Sequence, residues 1–520
     1  MNEDALRSSQ ALIDALKNVN SFPEKTGSVE FMQTQMSFVF LTDAFAYKIK
    51  KPVNLGYLDY TTLDKRLRFC NKEVELNRRL APDVYLAVLP VVKRGTRIVI
   101  GGDGEIIDYA VKMKRLPAER LMDHLLLSDQ VTEAMVVQIA EKVAAFHKKA
   151  ASDAEIGKFG ELRAIKQNTD ENFAQTSKYV GLSITDKRYQ RIRKFTDDFM
   201  QQNESLFNAR VSQGRIKDCH GDLHAAHVCF FDGITIFDCI EFTDRFRYCD
   251  VASEVTFLAM DIDRYGRADL SRVFIDAYVQ QSGDEALFKL LNFYKCYRAY
   301  VRGKVESFKL DDPYIADKKL SLSTAENYFA LAERFAREKP VMLLTAGLVG
   351  TGKTAMATAL SRAFGFVVIS SDVVRKKLAN IPVTEHRYTA FNRDIYSEDF
   401  TRKTYAEMFN QARQALVKGQ WVILDASFKK RQDRISARSL AHEVNADFFV
   451  AECVLEEAAV KRRLEGRLRG GSVSDGRWET YEVQKREFDP ITEIPTEEHV
   501  MVDTSCSISG SIKRISEKVA

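Results

Sequence analysis

Two kinds of hydrophobic spacing alternate along the chain and divide it in two. The opening runs VEFMQTQ, SFVFLT and AFAYKIKK are strand-like and broken by polar turns. A helical spacing follows over residues 63–80, then strand-like runs at 84–92, 97–100 and 106–114. From 130 to 149 the apolar positions fall at helical intervals, and apart from 220–250 the pattern stays largely helical to Glu338. A small sheet-rich lobe and a larger helical lobe are therefore expected over residues 1–338. The helical stretch LSTAENYFALAERFAREK then meets Pro340 and a new apolar strand, VMLLTA. Beyond it strand and helix alternate through FVVIS, WVILDAS, DFFVAECVL and HVMVDTS. Apolar strands separated by helices predict, over 339–520, a parallel sheet covered on both faces, a doubly wound α/β fold.

Composition narrows the classes. At 520 residues the chain is too long for one ordinary core. With 45% hydrophobic and 29% charged residues it has the balance of a folded globular protein. Lys and Arg number 77 against 73 Asp and Glu, a net charge of +4 that supports neither a nucleic-acid coat nor a polybasic membrane anchor. No apolar run approaches the ~18 residues of a spanning helix. The start, MNEDALRSSQALIDALKN, lacks an apolar core and reads as an amphipathic surface helix rather than a secretory signal. Four of the eight cysteines recur every ten residues (Cys219, Cys229, Cys239, Cys249), but the segments between them do not resemble one another. Reduced, mostly buried thiols in a cytoplasmic protein are expected.

The segment GLVGTGKT (347–354) matches G-x-x-x-x-G-K-[ST] between a predicted strand and a predicted helix, the context the motif needs. Gly347, Gly350 and Gly352, with Thr351 among them, let backbone N–H groups turn inward around phosphate, and the helix N-terminus adds its positive dipole. Lys353 would reach the β- and γ-phosphates of ATP and Thr354 would ligate Mg²⁺. Ser370-Ser371-Asp372 ends the second predicted strand, at the carboxyl edge that faces the ligand crevice, and Arg375 sits one helical turn beyond Asp372. A carboxylate there can accept a hydroxyl proton and an arginine can hold an anionic group, although an N-cap aspartate and a surface arginine fit the same residues. The basic helix KRRLEGRLRGGS (461–472) suits a lid over transferring phosphate or a solvated face.

The series GLVGTGKT, SSDVVR, VILDAS and RRLEGR resembles the P-loop small-molecule and polynucleotide kinases related to gluconate kinases and zeta-type toxins. That resemblance implies Asp372 as acceptor-side base, Arg375 as a substrate contact and Asp425 as the metal-side carboxylate, with Arg462, Arg463 and Arg467 as lid candidates.

A second cluster, DCHGDLHAAHVCFFDGITIFDCIEF, sets His220-Gly221-Asp222 before a hairpin and Asp238 after it. Phosphoryl transfer needs a base at the acceptor hydroxyl and a carboxylate on the metal, roles open to Asp222 and Asp238, as is a plain turn and strand end. The string is similar to the aminoglycoside phosphotransferase and choline kinase superfamily, HGDxxxxN followed by a metal-binding Asp. The likeness implies a bilobal protein-kinase-like (α+β) first domain, with Lys48 on the nucleotide phosphates and Glu73 as its ion-pair partner. The motif's Asn falls on His227, a metal-ligand candidate whose imidazole suits Mg²⁺ poorly. Either one metal is held, Glu241 substitutes, or the domain no longer transfers phosphate. A Gly-rich loop is absent from TQMSFVF, where Thr34 and Ser37 remain to meet phosphate. Lys295, Arg298 and Arg302 share a helical face, either solvated, a site for an anionic acceptor, or an interface.

The whole chain thus looks like a bacterial fusion of the two kinase types. The resemblance implies ATP and Mg²⁺ at two sites and small hydroxylated molecules as acceptors, while charge and hydropathy favour neither membrane nor nucleic acid as partner. A nucleotide-driven switch with a pseudokinase sensor, favoured by His227, and a 5′-hydroxyl kinase are the alternatives.

Overall fold

The structure, a computed structural model, describes residues 3–56, 58–312, 315, 317–382, 395, 397–467 and 478–519. It divides into two compact units, Met1–Tyr265 with Leu270–Ala336, and Gly266–Asp269 with Arg337–Ala520. No helix among the described residues is long and apolar enough to cross a membrane.

The first unit opens with a six-stranded antiparallel sheet. Its strands are β1 (Glu30–Gln33), β2 (Ser37–Leu41), β3 (Phe45–Lys50), β4 (Tyr85–Arg94), β5 (Arg97–Ile100) and β6 (Glu105–Lys114), ordered β1-β2-β3-β6-β4-β5. The two-residue period of β3 puts Tyr47 and Ile49 into an apolar cluster with Phe22, Phe38 and Phe40. The same period turns Lys48 and Lys50 to the opposite face, where helix Leu63–Asn77 lies. Thr62 caps that helix by accepting from the Lys65 amide, and Asp64 complements its dipole. Its Cys70 and Val74 pack on Val84, Tyr85 and Val111, which fixes Glu73 beneath the lysines.

The remainder of the unit is mainly helical around one large core. Helix Val251–Arg264 runs through its middle, with every residue from Val251 to Asp263 buried. Two small ribbons flank it: β7 (Ile216–Asp218) with β10 (Tyr248–Asp250), and the hairpin β8 (Val228–Phe230) with β9 (Ile234–Ile236). Arg210 is buried and clamps two buried carboxylates, Asp250 at 2.6 and 2.9 Å and Asp284 at 2.7 Å. Arg210→Ala would strand both acids in the interior and should cost about 3–5 kcal/mol. Urea unfolding of the full chain reads this as a fall in the first unit's midpoint; an unchanged midpoint contradicts it.

The expectation of a solvated or interfacial basic face on helix Leu287–Phe308 is corrected here. The helix is central, and two of the three cations of that face, Lys295 and Arg298, are buried and internally satisfied. Lys295 donates to Asp263 (2.7 Å) and Ser271 (2.9 Å), and Arg298 donates to the carbonyls of Ser253 (3.2 Å) and Gly221 (3.3 Å). The ten-residue cysteine spacing also acquires a spatial meaning. The β7–β10 pairing sets Cys249 opposite Lys217, and Cys219, Cys249 and the Glu254 carboxylate converge within 4.8 Å of one another. Glu254 spends its oxygens on backbone amides, and burial pushes the Cys219 thiol up, so these groups serve as packing beside the 220–222 loop.

The second unit holds a five-stranded parallel sheet: β11 (Val341–Ala346), β12 (Val367–Ser370), β13 (Val422–Asp425), β14 (Asp447–Val454) and β15 (His499–Asp503), ordered β12-β13-β11-β14-β15. Alternate residues of β11 serve two cores. Met342 and Leu344 join Met408, Ala412 and Leu440 on one face, while Val341 and Leu343 join Met356, Leu360 and Ile515 on the other. That is why VMLLTA is apolar throughout rather than alternating.

Candidate active sites

In the second unit the turn from β11 into helix Lys353–Phe364 is shaped by glycines at positive φ. Gly347 (+128°), Gly350 (+83°) and Gly352 (+92°) all lie where an L side chain is strained. A Cβ on Gly347 would sit 2.4 Å from the Cys453 carbonyl, and one on Gly350 would sit 2.9 Å from Val460. Gly347→Ala should therefore distort the turn, weakening nucleotide binding about tenfold or more while secondary structure persists. Equilibrium binding of a labelled nucleotide alongside circular dichroism checks this; wild-type affinity would contradict it.

Within the turn, the Lys353 ammonium and the Thr351 hydroxyl donate to the Leu348 carbonyl at 2.7 and 2.8 Å. Sheet register brings in the carboxylate. Thr345 of β11 stands opposite Asp425 of β13, so Asp425 arrives beside the first turn of helix Lys353–Phe364. There it is buried, accepting from the Thr354 hydroxyl at 2.8 Å and the Thr345 hydroxyl at 3.2 Å. A hydroxyl and a carboxylate oxygen in contact are the donor pair a hard cation takes. On the neighbouring strand Ser370 pairs with Asp425, and helix Ser371–Leu378 starts one residue later. Asp372 thus occupies the first helical turn, half-buried, rather than the strand end. Arg375 is buried and donates to the Ile395 carbonyl (2.6 Å) and the Thr401 hydroxyl (3.1 Å). Of the lid candidates, Arg462 is exposed, Arg463 donates to the Thr504 carbonyl at 2.7 Å, and Arg467 ends helix Glu457–Arg467; residues 468–472 of that stretch lie outside the described residues. Sequence reasoning missed Gln484, whose side chain accepts from the Val349 amide at 2.9 Å. No local pattern marks it.

In the first unit a cavity of 1210 Å³ opens between the sheet and the helical region, and Lys48, Asp222 and Asp238 all line it. The Lys48 ammonium lies 2.5 Å from Asp238 and 2.9 Å from Glu73. Glu73 also holds Lys50 at 2.6 Å, and Lys50 in turn contacts Glu241, which accepts from the Tyr60 hydroxyl at 2.6 Å. Burial raises the Glu73 carboxyl, but Lys48 and Lys50 outweigh it and hold it below its usual range. Glu241 Oε1 thus meets both Lys50 and Tyr60, and its side chain lines the same cavity.

The 220–222 loop is fixed by its backbone. Gly221 has φ of +88°, and a Cβ there would meet the Phe246 carbonyl at 2.9 Å. The Glu254 carboxylate accepts from the His220 and Gly221 amides at 3.1 and 3.0 Å. His220 Nε2 faces the Phe237 carbonyl at 2.9 Å and therefore carries the proton, leaving Nδ1 to accept from the Asp222 amide at 3.3 Å. Burial lowers the His220 ring to about 3, in keeping with that neutral tautomer. Asp238 adopts φ of +63°, rare outside glycine, and is held by the Tyr85 hydroxyl accepting from its amide at 3.1 Å.

His227 stands between the two acids. Its Nδ1 donates to the Asp222 carbonyl at 2.9 Å, so in the neutral ring, which burial favours, Nε2 presents a lone pair 3.5 Å from an Asp238 oxygen. Two acceptors at that separation match neighbouring ligands on one cation, and the nitrogen suits manganese or zinc better than magnesium. His224, which sequence reasoning passed over, places Nε2 3.5 Å from the Asp222 carboxylate and lies against His227 with ring centroids 3.9 Å apart and planes tilted by 34°. Burial raises the Asp222 carboxyl, but His224, His227 and Arg302 outweigh it and keep it well below the carboxylate range. Thr34 and Ser37 line the cavity mouth at the β1–β2 turn, where the Thr34 hydroxyl accepts from the Ser37 amide at 3.0 Å.

Comparison with known proteins agrees with this division. Residues 342–491 match the AAA domain family, a span that begins in β11 and contains the glycine turn and Asp425. Among solved structures, a gluconokinase from Sinorhizobium meliloti is 19% identical, covering 35% of this chain and 93% of its own at a TM-score of 0.25. The APS kinase CysC of Mycobacterium tuberculosis, in complex with AMPPNP and APS, is 17% identical over 35% of this chain and 99% of its own, with a TM-score of 0.27. An uncharacterized protein of Mycobacterium tuberculosis (strain H37Rv) is 31% identical over 446 residues, 85% of this chain and 87% of its own. A Mycobacterium bovis protein matches to the same extent. Because the likeness runs through both units, the chain belongs to the same family as these mycobacterial proteins.

Proposed function

We propose that the chain is an ATP-dependent phosphotransferase with two nucleotide sites, acting on hydroxyl groups of small molecules. A protein-kinase-like, aminoglycoside-phosphotransferase-like domain spans 1–338, and a P-loop kinase domain spans 339–520. The observation that carries the reading is that each unit supplies a lysine together with side chains able to hold a divalent cation, the combination phosphoryl transfer needs. In the second unit Lys353 precedes the Thr354–Asp425 pair, and in the first Lys48 links Glu73 to Asp238 on the cavity that contains Asp222. The free thiols, seven of them not exposed, suit a reducing cytoplasm.

In the first site Asp222 accepts the acceptor hydroxyl's proton as that oxygen bonds to the γ-phosphorus and the β–γ bridge breaks, releasing ADP. Lys48 exchanges Asp238 for phosphate oxygens, and Asp238 with His227 would hold the divalent cation, which supplies positive charge to the transferring phosphoryl group. In the second site Lys353 holds phosphate, Thr354 and Asp425 would hold Mg²⁺, and Asp372 accepts the hydroxyl proton. Arg375 supports this helix from its buried position, donating to the Ile395 carbonyl and the Thr401 hydroxyl.

The test is ATP consumption by the full chain over a panel of hydroxylated metabolites, with Asp222→Asn and Lys353→Ala compared. Two separable activities support the reading. If Asp222→Asn alters nothing while Lys353→Ala abolishes all turnover, the first unit is a sensor. His227 in the motif's Asn position is the observation that favours this second reading. Manganese should support first-site turnover better than magnesium; equal activity with both would remove His227 from the ligand set.

A further inference from the structure

The part of the first unit's cavity away from the nucleotide lysine is walled by helix Leu287–Phe308 and helix Leu162–Thr176. Tyr297, Val301, Val305 and Phe308 form an apolar stripe along the first of these helices, and Arg302 and Lys304 flank it on either side. The acids of this wall are already neutralised. Glu171 pairs with Arg245 at 2.7 Å, and Asp311 pairs with Lys178 at 2.5 Å while accepting from the Tyr179 hydroxyl at 2.6 Å.

Two cations of this wall lack a direct ion-pair partner among the described residues. Lys304 donates to neutral amide oxygens, Asn172 at 2.6 Å and Gln175 at 2.8 Å, and no carboxylate among the described residues lies within ion-pair distance of it. Burial lowers its ammonium to about 8 against the opposing pull of Glu171, as happens to a sheltered cation without a matched anion. Arg302 likewise forms no ion pair among the described residues; it lies over the Tyr328 ring at 5.8 Å and hydrogen-bonds the Tyr328 hydroxyl, with the Asp222 and Asp261 carboxylates near enough for their charges to interact. A wall that binds polycations would show the reverse balance, with carboxylates in excess.

We propose that this end of the cavity is the acceptor subsite, and that Arg302 and Lys304 grip the anionic group of a hydroxyl-bearing small molecule whose body lies on the Tyr297–Phe308 stripe. The inference rests on the first unit being a phosphotransferase, and it names the acceptor class: a phosphorylated or carboxylated alcohol rather than an aminoglycoside-like polycation.

The test is calorimetric titration of the full chain, saturated with a non-hydrolysable ATP analogue, with matched probes. These are glycerol 3-phosphate and glycerate against glycerol, glucose 6-phosphate against glucose, and kanamycin as the polycation. An anionic probe should bind where its neutral partner and kanamycin do not, and the phosphate and carboxylate arms separate the two sources of charge. Arg302→Gln and Lys304→Gln should each weaken that binding about tenfold or more, with Lys304→Arg recovering most of it. The proposal is overturned if no anionic probe binds, if the neutral partner or kanamycin binds as tightly, or if neither Gln variant matters. Failure of the underlying reading looks different: the ATP analogue itself then shows no binding that Lys48→Met removes.

Discussion

Lys353→Ala should cripple the phosphate transfer proposed for the second site, lowering its kcat/KM by about 10²–10³. A lysine that meets the β- and γ-phosphates follows charge as it builds on the transferring group, so its loss falls on the transition state rather than on folding. The ammonium hangs from a turn whose shape comes from glycines at positive φ, and it donates to the Leu348 carbonyl of the same turn. The variant should therefore keep its thermal midpoint within a few degrees of the parent. Activity loss with unchanged stability supports the assignment; retained turnover on every acceptor contradicts it.

Asp222→Asn should lower first-site turnover by about 10²–10⁴, the range of a lost general base, with a smaller change in acceptor KM. The substitution is isosteric, and the loop's shape rests on Gly221, Glu254 and His220 rather than on the Asp222 carboxylate. It does remove the charge that faces His224 and His227 at 3.5 and 3.6 Å, so their titration will move as well. A pH profile separates the two effects. Loss of the base depresses turnover at every pH, whereas a mere shift in the imidazoles displaces the profile along the pH axis. Second-site activity, read on a Lys48→Met background, should be untouched.

What the sequence disclosed depended on the range of the interaction. The phosphate turn was legible because its requirements are local: three glycines that must take positive φ, a lysine, a hydroxyl, and apolar residues before and after. The parallel sheet was legible for a similar reason, since VMLLTA must bury both of its faces. The pairing of Lys48 with Glu73 came through resemblance, and the structure adds what resemblance left out. Lys50, two residues along the same strand face, shares Glu73 and occupies Glu241. Long-range contacts of that kind leave no trace in spacing.

Helix Leu287–Phe308 shows a second limit. Periodicity gives the angle at which Lys295, Arg298 and Arg302 leave the helix, but not how deep the helix lies. Lys295 and Arg298 turned out to be buried with partners of their own, while Lys304, off that face, became part of the cavity wall. At Asp372 the expected strand end lies two residues too far along the chain, because Ser370 ends the strand and the helix begins at Ser371.

The most direct test of the central claim is a count of nucleotides bound per chain, by calorimetric titration of the full-length protein with a non-hydrolysable ATP analogue in the presence of manganese. Two sites are predicted, falling to one in Lys353→Ala, to one in Lys48→Met, and to none in the double variant. A single site in the parent that Lys353→Ala abolishes and Lys48→Met leaves intact would contradict the account.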